Sequence, residues 1–128
     1  MALRVVRLGS PRSKQEGLRL GTVRRPPRGV PKERIAADGW YDLWLPQLAP
    51  SAELVKVAQG ATTAKEWDVF ARKYRAEMAE PDNARLLALL AALSHRTDLA
   101  VGCYCEDEAR CHRSVLRELL AEAGAELG

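Results

Sequence analysis

The sequence is short of several things, and each shortage excludes something. No apolar run approaches the roughly 20 residues that a membrane-spanning helix needs, so a bilayer protein of that kind is excluded. The first residues, Met-Ala-Leu-Arg-Val-Val-Arg, alternate charge with apolar side chains and lack the apolar core of a secretory signal. That predicts a cytoplasmic protein, whose thiols stay reduced unless they are redox-active or metal-bound. Acidic residues are scarce at one end: residues 1–34 hold ten Lys/Arg against Glu16 and Glu33, a net of +8. Residues 35–128 hold ten Lys/Arg against fifteen acids, a net of −5. There are no internal repeats and no low-complexity tract. Histidine is limited to His95 and His112, and the only cysteines are Cys103, Cys105 and Cys111.

What is present fits one soluble domain over residues 1–128. Apolar residues are 47% and charged residues 29% of 128 positions, ordinary for a globular protein with a single core. Leu3–Leu8 and Leu18–Val23 alternate as strands, with Arg19 on the polar phase and Gly21 weakening the second or marking a bulge. Ser13–Gly17 is a polar loop. Trp40, Tyr41 and Trp44 are three of the seven aromatics; with no Lys or Arg interleaved they predict core packing and not a base-stacking surface. Ser51 is a cap for a short helix ending near Gly60. Thr63-Ala-Lys-Glu66 is a capping box, followed by Trp67, Phe70, Ala71, Tyr74 and Met78 at helical spacing. Asp82 or Asn83 is expected to cap a third helix with a broad face of Leu86, Leu87, Leu89, Leu90 and Leu93; His95 closes it in a structural or solvated role. Leu99-Ala-Val is a buried strand. A final helix starts near Cys111 and ends at Gly124, which suits the left-handed position after a helix. The expected architecture is α/β, with about four mainly parallel or mixed strands and four to five helices.

Two segments carry chemistry. Arg24-Arg-Pro-Pro-Arg28-Gly-Val-Pro-Lys32 places four cations in nine residues, and its prolines forbid a helix or a central strand. Most arginines in the chain read as solvated strand edges, but Arg24, Arg25 and Arg28 form a stiff basic loop that suits either a solvated connector or a clamp for a small anion, because guanidinium pairs with phosphate through two parallel bonds. The second segment is Gly102-Cys-Tyr-Cys-Glu-Asp-Glu-Ala-Arg-Cys-His-Arg113, a strand running through a loop into a helix, where α/β proteins place ligands.

Competing chemistries fit that second segment. In the first, Cys111 at a helix N-terminus is a thiolate nucleophile, His112 its proton partner, and Arg113 binds charge along with the basic loop. The Cys-x5-Arg spacing of tyrosine phosphatases is absent, and Glu106, Asp107 and Glu108 would repel a phosphate unless they face away. In the second, Cys103, Cys105, Cys111 and His112 are four soft ligands for zinc or iron, although neighbouring Cys and His side chains rarely share an ion. A Cys105–Cys111 redox disulfide and plain burial of the thiols, chiefly of Cys103, are the others. The basic first third also offers a nucleic-acid surface. No cofactor is required by the sequence, and the same residues suit a binding domain or an enzyme.

The chain resembles the bacterial YeaO-like proteins, Domain of Unknown Function 488, over nearly its whole length. The likeness is carried by Pro27-Arg-Gly-Val-Pro-Lys-Glu-Arg34, by Leu48-Ala-Pro-Ser-Ala-Glu-Leu54, and by Trp67, Phe70 and Tyr74. Cys103 followed by Cys111-His112-Arg113 is similar to the wider family's Cys…Cys-His-Arg signature, which many close YeaO-like relatives lack. Cys105 stands where the wider family often has Glu. The resemblance implies a compact α/β domain with helices around a small sheet, in which the Cys-His-Arg turn and the Pro-Arg-Gly loop share a pocket.

Overall fold

The computed structural model describes residues 1–105 and 107–128. Among the described residues four strands form one sheet: β1 (Leu3–Arg7), β2 (Leu18–Gly21), β3 (Leu43–Trp44) and β4 (Leu99–Cys103), in the order β1-β4-β2-β3. All neighbouring pairs are parallel. Leu-Ala-Val-Gly-Cys is buried throughout because β4 lies between β1 and β2 with helices over the sheet; buried parallel strands carry such continuous apolar runs. Helices α1 (Ala52–Gly60), α2 (Ala64–Met78), α3 (Pro81–Ser94) and α4 (His112–Glu122) complete the α/β fold, with short 3-10 turns at 32–34, 46–48 and 108–110. Among the described residues no helix is long and apolar enough to cross a membrane.

Local signals explain most boundaries. Ser51 accepts from the Leu54 amide, and Thr63 accepts from the Glu66 amide while the Glu66 carboxylate takes the Thr63 hydroxyl. Phe70, Tyr74 and Met78 of α2 are buried in the main core with Leu3, Leu20, Leu87, Leu90, Val101, Leu116 and Leu120. A smaller second core joins the two chemical segments: Val23, Ile35 and Tyr41 pack with Leu8, Cys103 and Cys111.

Several expectations are corrected. The third helix has Glu80 at its N-cap position, without a side-chain capping bond, and Pro81 at its first position, and Asn83 instead donates to the Glu77 carbonyl. Its apolar face is narrower than expected, since Leu89 and Leu93 are exposed. Trp44 is 44% exposed on the short edge strand, with its indole donating to the Val23 carbonyl. Arg19 is not a solvated strand residue: it is fully buried. Gly21 marks no bulge. It pairs with Gly102 in register, and a Cβ there would lie 2.4 Å from the Tyr41 ring; one at Gly102 would lie 2.7 Å from Leu8. These two glycines let side chains cross the sheet beside the carboxyl ends of β2 and β4.

Candidate functional site

The strands β1, β4 and β2 are neighbours, and the segments leaving their carboxyl ends line one cleft of about 1420 Å³. Leu8–Pro11 follow β1, Val23–Arg28 follow β2, and Tyr104, Cys105 and Arg110–His112 follow β4; α1 supplies Val55, Lys56 and Gln59 opposite. The thiol-bearing turn and the proline-stiffened arginines thus meet, at the place where open parallel sheets bind ligands.

The walls are cationic. Arg7, Arg24, Arg25, Arg28, Lys56 and Arg110 line the cleft, and no carboxylate does among the described residues. Their roles differ. Arg24 is spent on structure: Nε donates to the Pro50 carbonyl at 3.0 Å and Nη2 to those of Pro46 and Ala49 at 3.0 and 3.2 Å. Arg7 Nε donates to the Tyr104 carbonyl. Arg25, Arg28, Lys56 and Arg110 are exposed and make no ion pair among the described residues. The loop acids turn elsewhere. Asp107 caps the 108–110 turn through the Ala109 amide, and Glu108 receives both Nε and Nη2 of Arg117 at 3.0 Å. Glu106 lies outside the described residues.

The floor holds the sulfurs. Cys103 ends β4, where Gly102 draws the backbone close, and Cys111 is the residue before the first turn of α4. All three cysteines are free; Cys103 and Cys111 are buried and Cys105 is exposed. Cys103 Sγ lies 3.8 Å from Cys105 Sγ, and Cys111 Sγ lies 3.8 Å from His112 Nδ1. The ligand atoms of Cys103, Cys111 and His112 all lie within 4.8 Å of one another. His112 is oriented from behind: Nε2 donates to the Thr22 carbonyl at 2.8 Å, and Tyr74 meets the ring edge-on with centroids 5.5 Å apart. A carbonyl only accepts, so Nε2 carries a hydrogen and Nδ1 is the nitrogen that faces Cys111.

The sulfurs share protons unequally. Thiol hydrogen bonds from Cys103 and Cys105 and the neighbouring His112 pull the Cys111 thiol far below its ordinary value, against the effect of burial. The Cys103 thiol is pushed up by its contacts with Cys105 and Cys111 and by burial. Cys105 is drawn down by Cys103, but the Cys111 contact and burial raise it on balance, with Arg113 acting the other way. Tyr74 is pushed well up by burial and by the nearby Cys111.

Arg113 stands behind the floor and not in the cleft wall. It is buried, its Nη2 donates to the Cys105 carbonyl, and its Nε has no hydrogen-bond partner among the described residues. His95, only eight residues before Cys103, takes no part in the cleft lining: it is exposed and bonded to the Gly124 carbonyl at 2.7 Å. Lys56 and Thr22 were not marked by their sequence surroundings. Arg110 was marked only by a spacing that excluded a phosphatase loop.

Comparison with curated proteins finds no match, and comparison with solved structures finds none. A family model described as "Active DUF488-N3 subclade" matches residues 3–124, a span that includes every strand, both chemical segments and the whole of α4. By that match the chain belongs to the DUF488 family, within its DUF488-N3 subclade.

Proposed function

We propose that the protein binds a phosphate-type anion in the cleft between the basic loop and the Cys-His turn. One observation carries this reading: six Lys/Arg side chains and no described carboxylate line a single concave surface at the carboxyl ends of three adjacent strands. Arg25, Arg28 and Arg110 are the direct ligands, with Lys56 opposite. Arg24 holds the loop in place. The first turn of α4 faces the same space and adds the positive end of its dipole.

Charge elsewhere in the first third supports confining recognition to the cleft. Arg4 pairs with Asp98, Arg12 with Asp42, Arg19 with Glu16 and Arg34 with Asp38. Those cations are answered within the fold. Arg25 and Arg28, which make no ion pair among the described residues, line the cleft.

Inorganic pyrophosphate is the probe. Calorimetric titration should show binding that weakens as salt rises, since exposed charges are screened beyond roughly 10 Å at 0.1 M ionic strength. The Arg25→Ala, Arg28→Ala double variant should lose at least about tenfold in affinity, each factor of ten being about 1.4 kcal/mol. Lys65→Ala, on an exposed site outside the cleft, should lose nothing. Equal affinity in the double variant and the parent protein would sink the reading.

A further inference from the structure

The anion reading uses the walls of the cleft and leaves its floor without a role. Two sulfurs and one imidazole nitrogen converge there within 4.8 Å of one another, and the Cys105 sulfur reaches one of them, Cys103, at 3.8 Å. Cys103 ends a strand and Cys105 follows it. In a straight strand alternate side chains share a face but keep apart; here the chain leaves β4 at Cys103 and the two sulfurs close to 3.8 Å. Cys111 and His112 are neighbours, which ordinarily diverge. Cys111 is extended (φ −128°, ψ 151°) while His112 opens α4, and this change of backbone turns Sγ and Nδ1 to the same side at 3.8 Å.

From this convergence we infer that Cys103, Cys105, Cys111 and His112 form a tetrahedral Cys3His site for a soft divalent cation of the zinc class. The site would hold its ion whether or not an anion occupies the cleft above.

Size supports it. With zinc–sulfur bonds of about 2.3 Å and zinc–nitrogen bonds of about 2.0–2.1 Å, a tetrahedron has S···S edges of about 3.8 Å and S···N edges of about 3.6 Å. The Cys103–Cys105 and Cys111–His112 separations of 3.8 Å fall there; the Cys103, Cys111 and His112 donors would draw in from within 4.8 Å, and the exposed Cys105, outside that group, would turn its sulfur in from beside Cys103. The support behind the ligands is of the right kind too. A ligating imidazole usually gives its other N–H to a carbonyl or carboxylate, and His112 gives Nε2–H to Thr22. Arg113, buried with an Nε unpartnered among the described residues and bonded to the Cys105 carbonyl, supplies a positive charge beside the cluster.

The charges balance without redox chemistry. The cation takes three thiolates and one neutral imidazole, every remaining thiol proton leaves to solvent, and the centre carries a net −1 beside the Arg113 guanidinium. Cys111 is only 2% exposed, which suits a ligand better than a nucleophile that must reach a substrate.

The test uses the full chain, produced in zinc-supplemented medium and purified without chelator. Elemental analysis should give about one zinc per chain. Cobalt exchanged into the site should show the intense visible bands of a tetrahedral centre together with sulfur-to-metal charge transfer. Cys103→Ser and Cys111→Ser should each cut metal content at least tenfold, while His95→Gln keeps it. If a cysteine variant fails to fold, the cobalt spectrum of the parent protein decides. A metal-free parent protein whose three thiols all react under native conditions overturns the assignment. So does cobalt bound without sulfur charge transfer, or metal retained by both serine variants. Pyrophosphate affinity, read separately, reports on the walls and not on this centre.

Discussion

The Thr22 carbonyl accepts the Nε2 hydrogen of His112 at 2.8 Å, although ninety residues separate the two. Thr22 is itself fixed, because its amide and its hydroxyl both donate to the Gly102 carbonyl, at 3.0 and 2.9 Å. The residue just past β2 is thereby stitched to β4 and holds the first residue of α4. One threonine joins the strand that ends in the thiols to the helix that begins with them, and it sets which imidazole nitrogen meets Cys111.

His112→Leu should therefore cost about 1–3 kcal/mol, because it leaves a buried carbonyl without a partner. Thr22→Val keeps that carbonyl and removes only the hydroxyl, so it should cost about 1 kcal/mol. Urea midpoints with unchanged slopes measure both. A Thr22→Val loss as large as that of His112→Leu would place the weight on the hydroxyl instead.

Arg19 gives a sharper case. Its guanidinium is buried and reaches both Glu16 carboxylate oxygens, at 3.0 and 2.9 Å, and the carbonyls of Ser10 and Gly39, at 2.8 and 2.7 Å. It ties together three loops beside the cleft wall. Arg19→Met should cost about 3–5 kcal/mol, since it strands a buried carboxylate. Adding Glu16→Leu should then cost no more, and should recover part of the loss, because the stranded charge is gone. Additive losses in urea unfolding would show that the two residues do not act as a pair.

Arg19 also shows where the sequence stopped being informative. Its place in an alternating strand assigned it to the solvent side, because periodicity records polarity and not the carbonyls that distant loops bring to a buried guanidinium. Trp44 failed in the opposite direction. An aromatic predicts burial, yet β3 is two residues long at the sheet edge and half of the indole is uncovered. The β4 run, the α2 stripe and the Thr63 cap were legible because each signal lies within a few residues. The thiol cluster was legible for the same reason, all four side chains falling within ten positions. Its orientation was not, since Thr22 comes from the other end of the chain. Glu80 escaped as a cap because Asp82 and Asn83, better capping types, stand just beyond Pro81; the proline takes the first helical position and leaves the cap one residue earlier.

Asp42 makes stability depend on acidity. Partial burial would raise its pKa, but hydrogen bonds from Arg12 and the Arg19 amide, with the Arg12 and Arg19 charges, hold it below the ordinary aspartate range. A lowered folded-state value means that the stabilisation is present above the unfolded value of about 3.9 and disappears as pH falls through the folded value. Asp42→Asn should be less stable than the parent protein at pH 7 by about 1 kcal/mol. The gap should close as pH is lowered below about 4. Thermal melts of the two proteins across that range measure it, and a gap that stays constant would show that Asp42 is not the responsible carboxylate.

Arg24 and Arg28 sit four residues apart in the same basic loop, and their geometry assigns them different work. Arg24 donates to three carbonyls of the 46–50 turn, which leads into α1 and the opposite wall of the cleft. A lysine at that position has one compact head and cannot span three acceptors, so Arg24→Lys should behave much like Arg24→Ala. Both should speed amide exchange across residues 46–50 and weaken pyrophosphate binding indirectly, through a loosened loop. Arg28 is exposed and holds no carbonyl among the described residues. Arg28→Lys keeps the charge and should retain most of the affinity, while Arg28→Ala should lose about tenfold, roughly 1.4 kcal/mol. The pair of lysine variants separates the residue that shapes the cleft from the one that fills it. Were Arg24→Lys to bind as the parent protein does, the three-carbonyl clamp would not be what sets the loop; were Arg28→Lys to bind as poorly as Arg28→Ala, the anion would require the planar fork of arginine and not charge alone.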